Sequence, residues 1–179
     1  GTSGVYFDCT SASCDTGINS WLQTTSDTAT GLSPNVQYTF QAKGRNGDST
    51  ETSYSSTSDS YTLAAVPSAP GTGNPQTTTI DVTPDNGTNS ASTEMVLYKE
   101  TGASCDGSGG SYIAANGSDN GATPVWQTES SWGTVTVSGL SEFTQYSFCT
   151  KAKNADAIET AYSSAGTTTT SESDIPSIS

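Results

Sequence analysis

Histidine is absent from this 179-residue chain, and basic residues are few: five Lys and Arg stand against 18 Asp and Glu, a formal net charge of −13. Without imidazole there is no His-assisted nucleophile and no His-ligated zinc. Five cations cannot neutralise a phosphate backbone, so nucleic acid is excluded as a partner, and an anionic membrane surface is disfavoured for the same reason. No apolar run approaches the ~20 residues of a membrane-spanning helix, so no membrane insertion is expected. Neither a Gly-Lys-Ser/Thr phosphate loop nor a C-x-x-C pair occurs. Ala, Leu, Lys and Glu are too scarce for a core of long helices.

What is present points the other way. Ser and Thr fill about a third of the chain, with 18 Gly and eight Tyr. Such a composition favours short strands between frequent turns. Period-2 alternation is clear in Thr77–Thr83, where Ile80 and Val82 share a face, and in Thr134–Ser138. In Tyr146–Ala152 it sends Tyr146, Phe148 and Ala152 inward and Ser147, Cys149 and Lys151 outward. Glu94–Lys99 is a more continuously apolar strand. The four cysteines, Cys9, Cys14, Cys105 and Cys149, are an even number in a polar chain. They imply disulfides and an oxidising, extracytoplasmic setting, with three pairings open.

An internal repeat organises the chain. Gly31-Leu-Ser-Pro-Asn-Val-Gln-Tyr-Thr-Phe40 matches Gly139-Leu-Ser-Glu-Phe-Thr-Gln-Tyr-Ser-Phe148 at an offset of 108. The offset persists through Asn46 and Asn154, Glu51 and Glu159, and Tyr54-Ser-Ser56 and Tyr162-Ser-Ser164. Upstream, Val5-Tyr-Phe-Asp8 aligns with Val96-Leu-Tyr-Lys99 at an offset of 91, which places a 17-residue insertion in the second copy, within 107–123. A period near 100 residues means two copies of one domain type.

The pattern Leu-x5-Tyr-x-Phe-x3-(Ala or Gly)-x-Asn, at Leu32–Asn46 and Leu140–Asn154, resembles the E–F corner and F strand of fibronectin type III domains. The resemblance implies an all-β fold: two fibronectin type III-like antiparallel β-sandwiches in tandem, each with a tyrosine corner. It implies an incomplete module over 1–66 lacking strands A and B, a complete one over 67–171, and in 172–179 the start of a further module or a donor tail. The family's strand-B tryptophan is replaced by Val82. On this frame Cys105 follows strand C and Cys149 lies on the neighbouring strand F, so Cys105 pairs with Cys149 and Cys9 with Cys14.

The implied role is non-catalytic: a stalk, filament or adhesin segment of a secreted or cell-surface protein. Its partners would be further copies or neighbouring modules, completed by strand addition between chains. The alternative is a carbohydrate-binding accessory of a secreted polysaccharide-degrading enzyme, with Trp132 and Tyr112 stacking on sugar. Trp21 and Trp126 then read as equivalent packing residues. Asn86-Gly-Thr88 and Asn116-Gly-Ser118 are N-glycosylation sequons. Asp106 and Asp119, in Gly/Asn-rich loops, are candidate Ca²⁺ ligands, and no other cofactor is expected.

Overall fold

A computed structural model of the chain describes the backbone of residues 4–9 and residues 28–173 in full. Cys14, Trp21 and most of the 172–179 tail lie outside the described residues, as does the side chain of Cys9. The chain divides into two compact units, Gly1–Thr62 and Leu63–Ser179. Residues 63–66 go with the second unit. Ala65 N donates to Asn89 Oδ1 (2.7 Å), Asn89 Nδ2 donates back to Ala65 O (2.8 Å), and Ala64 packs on the core.

The second unit is a two-sheet sandwich. One sheet holds β4 (Ser68–Gly73), β5 (Ile80–Asp85) and β9 (Val135–Val137), in the order β4-β5-β9. The other holds β6 (Glu94–Thr101), β7 (Ser111–Tyr112), β10 (Gln145–Lys153) and β11 (Gly166–Thr169), in the order β11-β10-β6-β7. The short β8 (Gln127–Thr128) pairs with β6. All ladders are antiparallel. In chain order these are strands A, B, E against G, F, C, C′, which is the fibronectin type III-like arrangement that the repeated corner motif implies.

The alternation read from sequence places the core. Ile80, Val82, Met95, Leu97, Val135, Val137, Tyr146, Phe148 and Ala152 meet between the sheets, closed at one end by Leu140. Trp132 joins them at 5 % exposure, which corrects its reading as a sugar platform. Thr128 caps the single-turn helix α1 (Glu129–Trp132) by accepting Ser131 N, and the turn directs the indole inward. Trp132 Nε1 donates to Met95 O at 2.9 Å, so even its polar edge is spent. The ring belongs to the same core cluster as Val82.

The first unit shows one antiparallel sheet among the described residues, β1 (Gly4–Cys9), β2 (Gln37–Arg45) and β3 (Ser58–Tyr61), in the order β1-β2-β3. These correspond to C, F and G. Val5 lies opposite Gly44, while Met95 lies opposite Ala152, the repeat of Gly44. Strand C of the two copies therefore superposes at an offset of 90, not 91. The aligned valines suggested the wrong register, and a one-residue slip exchanges the two faces of a strand. Phe40 is half-buried, whereas its repeat Phe148 is fully buried between two sheets.

Candidate functional site

The two units repeat the surroundings of β2 and β10 at the level of single hydrogen bonds. Tyr38 Oη accepts from Ser33 N (3.0 Å), and Tyr146 Oη from Ser141 N (2.9 Å), so both tyrosine corners are formed. Asn46 Oδ1 accepts from the N–H groups of Asp48 and Thr50; Asn154 Oδ1 accepts from those of Asp156 and Ile158. Thr62 Oγ1 donates to Ser33 O while accepting Val36 N, and Thr170 Oγ1 does the same with Ser141 and Thr144. Ser55 and Ser163 hydroxyls accept the amides of Ala42 and Thr150.

The repetition extends to a three-residue cluster on the outer face of each F strand. Lys43 Nζ lies 2.7 Å from Glu51 Oε2 and 5.1 Å from the centre of the Tyr54 ring. Lys151 bonds Glu159 in the same way and lies 5.3 Å from the centre of the Tyr162 ring. The hydrogen bond to Glu51 raises the Lys43 pKa above its ordinary value. For Lys151 burial pulls the value down, and Glu159 with the neighbouring Tyr112 outweighs it. Glu51 and Glu159, and Tyr54 and Tyr162, are visible in the 108-residue offset, and alternation turns Lys151 outward; that the three meet is set by the fold.

In the second unit this face is covered. Tyr98 packs edge-on against Tyr112 (5.0 Å, 73°) and tilted against Tyr162 (5.4 Å). Tyr162 Oη donates to Tyr112 Oη at 3.1 Å, and burial, then that contact, pushes the Tyr162 phenol well above its usual range. Cys105 and Cys149 are bonded, with Cα atoms 5.9 Å apart. Glu100 accepts the backbone N–H groups of Asp106 (3.2 Å) and Gly107 (2.6 Å), holding the 102–110 loop over the sheet. The outward positions Ser147 and Cys149 are consequently fully buried. Tyr112 is therefore held among tyrosines, with Lys151 Nζ 5.8 Å from its ring centre, rather than standing free for a sugar.

The remaining candidates separate. Asp106 and Asp119 are not brought into one site. Asp106 accepts Ser108 N, whereas Asp119 Oδ2 takes Lys99 Nζ and Ser111 Oγ (both 2.6 Å) and Oδ1 takes Gly121 N (2.8 Å). The Lys99 contact holds the Asp119 pKa down at about 2. Its oxygens are committed to donors, and no cluster of three metal-binding side chains occurs among the described residues, so the two aspartates do not assemble the Ca²⁺ site expected of them. Asn86 is 2 % exposed, and its Nδ2 donates to the carbonyls of Asn89 and Ser90. Asn116 is exposed. Trp126, not Trp132, is the partly exposed indole, with Lys153 Nζ 4.6 Å from its ring centre and 2.9 Å from Glu94 Oε2. All four lysines spend their charge on a carboxylate of their own unit.

No protein family and no curated protein matches the chain. Among solved structures it is similar to the FN1–FN3 domains of chicken CNTN1 at 14 % identity and TM-score 0.44, over 95 % of this chain and 56 % of that one. It is similar to domains d3–d4 of the extracellular region of rat CD45 at 18 % identity and TM-score 0.43, over 88 % and 74 % of the two chains. Domains A168–A170 of titin match at 16 % identity and TM-score 0.39, over 76 % of this chain and 41 % of theirs.

Proposed function

We propose that the chain is a non-catalytic structural segment of a secreted or cell-surface protein, serving in a stalk, filament or adhesin. The observation that carries this reading is where the polar side chains go. Built twice at the same spacing, they tie the backbone to itself. The charged aromatic clusters are likewise closed within each unit.

Two further features support it. The Cys105–Cys149 bond suits an oxidising compartment. The first and last strands of the second unit are also tied together: Thr72 Oγ1 on β4 donates to Thr167 O on β11 (3.3 Å), and Ser171, just after β11, donates from its N to Gln76 O (3.0 Å) and from its Oγ to Pro75 O (2.9 Å) in the turn after β4. Gly166 allows this approach, since a Cβ there would lie 2.0 Å from Pro70 O.

The half-buried Phe40 face of the first unit is the seat for further strands, from the same polypeptide or from another copy. Electron microscopy of the native assembly tests the reading: a module-sized axial repeat along a fibre or stalk supports it, and a globular particle carrying hydrolase activity refutes it. Strand addition between copies fails if the purified chain stays monomeric at high concentration with its first unit folded.

A further inference from the structure

We infer that Asn116 is an N-glycan acceptor and that Asn86, the other sequon, is not. The inference rests on the extracytoplasmic reading and goes beyond it. Asn116 sits on the turn of the hairpin that the insertion forms: Gly117 N donates to Ala114 O (2.9 Å) and Ala114 N to Ser118 O (2.9 Å). The hairpin is anchored on every side but this one. Ile113 is fully buried in the core, Asp119 is tied to Lys99, and Ser138 N donates to Gly117 O (3.0 Å). Gly117 lies flush against β9, where a Cβ would meet Thr136 O at 2.0 Å; its φ of 85° turns the chain there. The exposed Asn116 is thus displayed from a fixed support.

Its amide is arranged for attachment. Oδ1 accepts both Ser118 N (3.1 Å) and Ser118 Oγ (2.8 Å), so the sequon's hydroxyl holds the carbonyl side of the amide. No described hydrogen bond uses Nδ2, which is left to the solvent side. At Asn86 the same nitrogen donates at 3.2 and 2.8 Å to Asn89 O and Ser90 O inside a buried turn. A sugar there would cost those bonds and need a channel to solvent, so a chain carrying one could not close the turn.

The transfer needs a polyprenyl-diphosphate-linked oligosaccharide as donor. The Asn116 Nδ2–C1 bond forms, the bond from C1 to the diphosphate oxygen breaks, the diphosphate leaves, and the transferase takes the amide proton. The test is secretion of the full chain from eukaryotic cells behind a supplied signal peptide, so that the native compartment does not enter. Intact mass before and after peptide-N-glycosidase F reads occupancy, and formation of the Cys105–Cys149 bond reads folding. The expected result is one enzyme-sensitive glycan, abolished in both Asn116→Gln and Ser118→Ala and unchanged in Thr88→Ala, which removes the other sequon while keeping the buried Asn86 amide. A folded, secreted wild-type chain without glycan overturns the inference. So does a glycan that survives Ser118→Ala or disappears with Thr88→Ala.

Discussion

Trp132 and Trp126 differ by six positions and exchange the roles that their neighbours suggest. Trp126 precedes a strand, as a packing residue would, yet it lies half-exposed beneath Lys153. Trp132 stands in a polar Glu-Ser-Ser run, yet one helical turn folds it into the core. A four-residue helix has no periodicity to read, so this inversion was invisible in the sequence. Truncating Trp132 to alanine leaves a large cavity and should cost the second unit about 3–5 kcal/mol in urea denaturation. Trp126→Ala should cost about 1 kcal/mol or less, since it loses an exposed cation–π contact. The tyrosine corners, by contrast, were legible because motif and spacing recur together. Tyr146→Phe removes the acceptor for Ser141 N and should cost about 1 kcal/mol in the same assay. Phe143 runs the other way. It is 72 % exposed and holds a left-handed φ of 47°, where the first unit places Asn35 at 51°. Phe143→Asn should therefore stabilise the second unit, by up to about 1 kcal/mol, because asparagine tolerates that conformation better.

At the scale of elements, the strands of the second unit follow from alternation, and the Cys105–Cys149 pairing followed from the family frame. What escaped was register and the insertion. The offset between the C strands was misread by one residue because two valines align better than the ladder does. The Gly/Asn-rich insertion carries no strand signal in its sequence; Asp119, Lys99 and Ile113 pin it, by contacts between residues distant in sequence. Asp119 makes that anchoring pH-dependent. Its pKa of about 2 lies below the ordinary 3.8, so the stabilisation is complete above about pH 4 and is lost as pH falls through 2. Amide exchange of Ser111 and Tyr112 should accelerate across that window, and Asp119→Asn should abolish the pH dependence, leaving the hairpin at neutral pH as weakly held as the wild type is below about pH 2. Because half of the Asp119 side chain is exposed, solvent screens the effect and it should stay local. The disulfide acts more broadly. Closing a 44-residue separation, it should contribute about 4 kcal/mol through the unfolded chain. Reduction should lower the melting temperature of the second unit, as should the Cys105→Ala/Cys149→Ala double variant.

At the scale of the whole molecule, composition and repeat foretold an all-β chain of two related units. The mechanical reading stands on the closure of the second unit: its first and last strands bonded to each other, and β10 locked by a covalent bond to the segment that follows β6. Single-molecule stretching of the full chain from its ends tests this most directly. Under oxidising conditions the second unit should unfold in a discrete force peak, with the segment between Cys105 and Cys149 held back. Added reductant should lengthen that release by about 16 nm, at about 3.6 Å per residue over 44 residues. A featureless extension without a peak, or the same length released with and without reductant, would contradict the account.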